Sequence, residues 1–236
     1  MLGVFPTCDG PLRPEGRRLN WLCPLYRSTM GKKFVMAVTG FIGFAYVVLH
    51  MLGNLQVFEG PAKLNAYAAF LKSNGALLWS VRVILLGALI LHMLVASQLA
   101  RIRWRSRPIR YHRWQPVGSD YASRTMRWSG PIIGLFIVYH LLHLTTGTVH
   151  PHFQPGDVYE NVVTGFCVWY VSAFYIAAMF ALGLHMSHGV WSMFQSLGVN
   201  HPAYNGLIRT SVTSVTLAVI IGFVAIPVGV LLGIVS

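Results

Sequence analysis

Five stretches of the chain, roughly Phe34–Leu55, Leu77–Ala100, Ser129–Val149, Phe166–Phe194 and Ser211–Val235, are long apolar runs in which Arg82 is the one Lys, Arg, Asp or Glu. A helix needs about 20 mostly apolar residues to cross the hydrocarbon core of a bilayer. In lipid, backbone amides find partners only inside a helix or a closed barrel, and runs this long exceed a barrel strand. The expected fold class is therefore all-α, an integral membrane five-helix bundle over residues 34–236, preceded by an N-terminal arm over residues 1–33.

Composition agrees with that reading. Only 10% of residues are charged, against about 25% in a soluble domain. All six acidic residues, Asp9, Glu15, Glu59, Asp120, Asp157 and Glu160, lie outside the apolar runs, so no carboxylate pair serves acid–base chemistry within the membrane. A net charge of +12 raises the question of nucleic acid. The basic residues sit between hydrophobic spans, where they set orientation and meet anionic headgroups, and nucleic-acid binding is not expected. Cys8, Cys23 and Cys167 show neither metal-ligand spacing nor a disulfide framework. No short apolar run with a small-residue cleavage site opens the chain, so the first span is expected to serve as its own insertion signal.

The arm contains Pro6, Pro11, Pro14 and Pro24 among scattered arginines and reads as irregular or interfacial. Gly60-Pro61, Asn74-Gly75, Pro151 and Pro155-Gly156 mark loops at about 56–76 and 150–165, the first with a short interfacial helix near Ala62–Lys72. Orientation follows from the cations. Arg13, Arg17, Arg18, Arg27, Lys32 and Lys33 precede the first span, and eight arginines from Arg101 to Arg127 separate the second and third. The opposite loops have only Lys63 and Lys72, offset by Glu59, Asp157 and Glu160. The positive-inside rule then puts the N-terminus in the cytoplasm, and five spans leave the C-terminus outside the cytoplasmic membrane.

Of ten histidines, His50, His92, His140, His143, His185 and His188 fall inside spans, where ionisable side chains are rare and usually functional. A lone intramembrane histidine is readily explained as a neutral imidazole bonded to a neighbouring helix. Histidines on four of five helices instead match what bis-histidine haem ligation needs, two imidazoles from facing helices on opposite sides of a flat ring. Depth sorts them. At about 1.5 Å per residue, His50 lies roughly 24 Å and His140 roughly 18 Å from the cytoplasmic end, while His92 and His185 lie roughly 22 and 28 Å from the outer surface. That gives an outer pair and an inner pair, as two haems stacked across the bilayer require. His143, one turn beyond His140, is not separated from it by depth. Small residues near the histidines, including Gly40, Gly43, Gly130, Gly134 and Gly189, would admit a flat macrocycle or serve ordinary helix packing. Arg82 would meet haem propionates or snorkel to headgroups, and Asn54 would border a haem.

Four segments then resemble the di-haem cytochrome b membrane anchor of succinate dehydrogenase and fumarate reductase, the type with a single five-helix anchor. They are Thr39-Gly40 with Val48-Leu49-His50-Met51-Leu52-Gly53-Asn54, Arg82 with Leu89-Ile90-Leu91-His92, Ser129-Gly130 with Val138-Tyr139-His140, and Leu184-His185-Met186-Ser187-His188-Gly189-Val190-Trp191-Ser192. The resemblance implies two b haems, the outer one ligated by His50 and His140 and the inner one by His92 and His185. It also selects His140 over His143. It implies a flavoprotein and an iron–sulfur protein docked on the cytoplasmic face, electron transfer to or from quinone, often menaquinone, and a possible higher oligomer of the complex. Arg27 and Ser28 would hydrogen-bond quinone at the inner side, unless Ser28 is a helix cap and Arg27 a headgroup contact. Glu59 would accept a proton at an outer quinone site or be a solvated loop acid. The spans contain no glutamate of the kind that some of these enzymes use as a proton path. Histidines alone also fit the haem b anchor of a formate dehydrogenase, hydrogenase or nitrate reductase. A transporter with histidine proton relays fits less well, because intramembrane carboxylates and broken, repeated helices are missing.

Overall fold

The computed structural model describes residue 26 and residues 28–106 and 121–236. Arg27 and most of the N-terminal arm lie outside the described residues. Seven α-helices follow one another among the described residues: α1 (Thr29–Asn54), α2 (Pro61–Ser73), α3 (Gly75–Arg105), α4 (Tyr121–His140), α5 (Val158–Cys167), α6 (Trp169–Ser196) and α7 (Pro202–Leu231). A 3₁₀ turn, Leu55–Glu59, extends α1, and a π-helical turn, Leu141–Thr145, extends α4. With these extensions, α1, α3, α4, α6 and α7 are long and apolar enough to cross a membrane. The expected all-α five-span bundle is the fold.

Local chemistry sets the boundaries. Ser28 Oγ accepts the Gly31 amide at 2.9 Å and starts α1, five residues before the expected edge of the arm. Ser28 is thus a helix cap, the plainer of its two expected roles. Gly60 turns the chain at φ 96°, a left-handed value open to glycine, and Pro61 at the first position of α2 is already at helical φ. Asn74 Oδ1 accepts the Leu77 amide and starts α3. His201 caps α7 through Nδ1, ahead of Pro202.

The loop at 150–165 departs from expectation, since it contains α5. Asp157 accepts the Glu160 amide as N-cap, and Tyr159, Val162, Val163 and Phe166 make one buried stripe at helical spacing. The helix then breaks at Val168, so Phe166 and Cys167 belong to α5 and the fourth span begins at Trp169. Ser172 holds that corner by donating to the Phe166 carbonyl at 2.6 Å. The fifth span starts earlier than expected, at Pro202.

Helix α6 is the central post, packing on α1, α4, α5 and α7. Helix α3 leans chiefly on α1 and leaves Trp79, Val83, Ile84 and Leu86 exposed, a surface suited to lipid and not water. The largest buried cluster lies at the end of the bundle that carries α5, where Tyr159, Phe166, Tyr175 and Val230 meet. Asn65 on α2 donates to Asp157 at 2.9 Å and accepts the Tyr159 amide at 3.0 Å, fastening the two outer connections together.

Candidate functional site

Two histidine pairs face one another between the spans. The rings of His50 on α1 and His140 on α4 stand 5.9 Å apart, centroid to centroid. Those of His92 on α3 and His185 on α6 stand 6.3 Å apart. All four are half-buried. Two imidazole nitrogens at about 2 Å on either side of one metal ion bring ring centroids to roughly 6 Å, so both spacings suit a shared axial position.

Hydroxyl groups orient three of these rings. Thr39 Oγ1 donates to the Val35 carbonyl at 2.8 Å, which commits its proton, and lies 3.1 Å from His92 Nδ1. The Thr39 oxygen therefore accepts from Nδ1–H, and His92 keeps a free lone pair on Nε2; the tautomer is assigned from this accounting. Ser129 Oγ, fully buried on α4, lies 3.5 Å from His185 Nδ1. Tyr175 Oη lies 3.5 Å from His140 Nδ1. Such contacts fix ring orientation and raise ligand basicity in metal sites. His50 is instead stacked on Tyr46 at 5.3 Å and tilted against Phe223 at 5.8 Å.

Glycines follow the same plan. A Cβ on Gly40 would stand 3.4 Å from His92 Cε1, and one on Gly130 would stand 3.7 Å from His185 Cε1, ordinary contact distances that put each glycine beside a ring of another helix. Half-buried Gly43 is seven residues from His50 and on the same face of α1, and a Cβ there meets nothing within 4 Å. The same holds for Gly189, four residues after His185. Paired imidazoles, hydroxyls at Nδ1 and open space at these glycines together fit a flat metal macrocycle.

The remaining expected residues have contacts of their own. Asn54 Nδ2 donates to the His50 carbonyl at 2.9 Å, closing the last turn of α1. The Arg82 guanidinium lies over the Trp79 ring at 5.1 Å. Glu59 pairs with Lys63 at 3.7 Å. Both line a cleft of about 520 Å³ with Gln56, Ala66, Tyr67 and Phe70, and Tyr67 packs against Gly53 one turn past His50.

His143 does not face the pair. It is 2% exposed, its Nδ1 lies 3.0 Å from Tyr175 Oη, and its ring stacks on His150 at 4.8 Å. His150, in the outer loop and buried, donates from Nε2 to the Asn161 carbonyl and accepts the His152 amide on Nδ1. Sequence reasoning missed Tyr175 and His150, and it named Thr39 and Ser129 without their role. The adjacent glycine in Thr39-Gly40 and Ser129-Gly130 was the available signal, since hydroxyl and glycine together serve one ring.

A bundle of five helices long and apolar enough to span, with histidines paired between them, is a multi-pass membrane protein. The family model for the succinate dehydrogenase/fumarate reductase transmembrane subunit matches residues 105–231, and the chain belongs to that family. It is a membrane subunit associating with the other subunits of such a complex. The matched segment contains His140 and His185, while His50 and His92 precede it. Comparisons with curated proteins and with solved structures found no match.

Proposed function

We propose that this subunit holds two b haems and carries electrons across the membrane between an iron–sulfur subunit and quinone, with menaquinone the expected species. The observation that carries the reading is the pair of imidazole separations, 5.9 Å for His50 with His140 and 6.3 Å for His92 with His185, on facing helices at two depths. Haem bound there would supply reversible one-electron iron chemistry at a potential set by its ligands and their hydrogen bonds. The protein's part is to orient four neutral imidazoles. Thr39, Ser129 and Tyr175 do this at Nδ1, and the spans keep water away from the rings.

The arginines of α3 and α4, Arg103, Arg105, Arg124 and Arg127, mark the cytoplasmic end, where the iron–sulfur and flavoprotein subunits would dock. The N-terminus would be cytoplasmic and the C-terminus outside. Succinate or fumarate chemistry belongs to the flavoprotein, because this chain has neither a nucleotide-binding glycine loop nor a cysteine cluster. The cleft at Glu59, Lys63 and Tyr67 would receive the quinone head at the outer end, and its carboxylate would take part in proton exchange. Ser28 would be the candidate for the inner side, since its Oγ accepts the Gly31 amide through a lone pair and a hydroxyl that accepts can also donate to a quinone carbonyl. The Arg82 guanidinium, over the Trp79 ring, would be the partner of a haem propionate.

The deciding experiment is a reduced-minus-oxidised absorption spectrum of the purified complex with haem and protein quantified. Two b haems per chain are expected. Absence of b haem ends the reading, and a ratio near one, with loss in extraction excluded, ends the two-haem form of it.

A further inference from the structure

Tyr175 touches both histidines of the third span, and the family assignment gives it no role. Its oxygen is 3.0 Å from His143 Nδ1 and 3.5 Å from His140 Nδ1. A phenol has one proton and accepts through its lone pairs. Of two imidazoles meeting it through Nδ1, at most one receives the phenol proton, and the other bonds to it only by supplying its own. A haem at the pair needs the Nε2 lone pair of His140, so the His140 proton sits on Nδ1 and the phenol proton is left for His143 Nδ1, whose own proton then sits on Nε2. The longer contact is then Nδ1–H of His140 donating to Tyr175, which leaves Nε2 of His140 with a free lone pair.

The surroundings of His143 hold its ring in place. Its Nε2 edge is turned to the backbone of Gly165, where a Cβ would stand 3.2 Å from it, and its ring is stacked on His150. The tautomer of His150 is set independently by its donation to the Asn161 carbonyl and its acceptance of the His152 amide. His140 faces His50 instead.

We propose that Tyr175 is a positioning residue that selects His140 over His143 for the outer haem, by spending its single proton on His143 and drawing the Nδ1 proton of His140 onto itself. This rests on the haem reading above. Donation from Nδ1–H makes an imidazole a stronger electron donor to a metal at Nε2. Its loss favours the reduced state of the iron. His143 supports the effect at a distance, because a phenol that donates is a better acceptor than one that does not.

The test is a redox titration of the intact complex carrying Tyr175→Phe, after the parental complex has been shown to contain two b haems. A parental complex without b haem overturns the haem reading itself, so that failure is read separately. In Tyr175→Phe both haems are expected to remain, with the reduced-to-oxidised ratio of the outer one rising about tenfold at fixed potential, about 59 mV for one electron, and the inner one unchanged. An unchanged outer potential overturns the proposal, as does an equal shift of both haems, which marks general loosening. If the variant does not assemble or loses the outer haem, His143→Ala decides, because it leaves the phenol in place and removes only its acceptor. There a smaller shift of the outer haem in the same direction supports the proposal, and no shift overturns it.

Discussion

Thr39 on α1 and His92 on α3 are joined by a contact of 3.1 Å in which the threonine oxygen, its proton already given to Val35, accepts from the imidazole. Ser129 on α4 likewise meets His185 on α6, its Oγ 3.5 Å from Nδ1. The two inner rings are thus held from outside the pair by small hydroxyl residues on the neighbouring helices. Thr39→Val keeps the shape and removes the acceptor, and Ser129→Ala removes its counterpart. Each is expected to weaken retention of the inner haem about 10- to 100-fold, with the outer one kept. Haem content after dilution in detergent measures it, and equal loss of both haems would count against a local role.

The pairing is tested through the histidines. His92→Ala and His185→Ala are each expected to abolish the inner haem signal and keep the outer one. His50→Ala and His140→Ala are expected to do the reverse. His143→Ala retains both. A potentiometric titration of each variant resolves the two components, and loss of one haem in His143→Ala with both kept in His140→Ala would show the assignment on α4 to be wrong.

Gly165 lets α5 approach two stacked rings. A Cβ there would lie 2.9 Å from His143 Cε1 and 3.1 Å from His150 Nε2. Stacked rings in a packed site have little room to retreat, so Gly165→Ala is expected to cost about 1–3 kcal/mol as overpacking. The thermal midpoint of the purified complex should fall, while Gly206→Ala on exposed α7 surface, where a Cβ meets nothing within 4 Å, should hold or raise it, as alanine does for glycine in a helix. Equal midpoints for the two variants would show that the rings yield.

Asp157 gives the outer end a pH dependence. The Glu160 amide, then the Asn65 side chain, hold its carboxyl below the usual carboxylate range. A depressed folded value means that its stabilisation is complete above the unfolded value and is lost as pH falls through the folded one. Asp157→Ala is expected to cost about 1 kcal/mol of α5 stability at neutral pH, as an N-cap does. Protease susceptibility of residues 146–168 should therefore rise in the parent on acidification below the ordinary carboxylate range and converge on that of the variant. Parallel curves that never converge would remove Asp157 as the cause.

The five spans were legible because lipid permits so little: a long run with no charge but Arg82 has few alternatives to a helix. Depth along those helices also told which histidines would lie side by side, since rise per residue is fixed. Helix α5 was hidden because its polar residues, Asp157, Glu160 and Asn161, resemble a loop until Asn65, 92 positions away, is seen to use one of them. Thr39 was hidden for a related reason. A threonine in an apolar helix usually bonds its own turn, and this one does so while also meeting His92. Tyr175 read as packing because the histidines it joins become neighbours only after folding. The choice between His140 and His143 was obscured by the assumption of a regular α-helix, in which residues three apart share a face.

The π-helical turn at Leu141–Thr145 removes that assumption, since it begins just after His140 and contains His143. A π-turn accommodates one residue more than an α-turn, and such turns often occur at functional sites. Seen as chain history, it has the form of a single inserted codon that gave one helix two side-chain registers. Up to His140 the span keeps the register of the pair, and past it the register turns toward α5 and α6. Removing one residue from 141–145 would return the helix to a single register and carry His143, with everything after it, away from Tyr175.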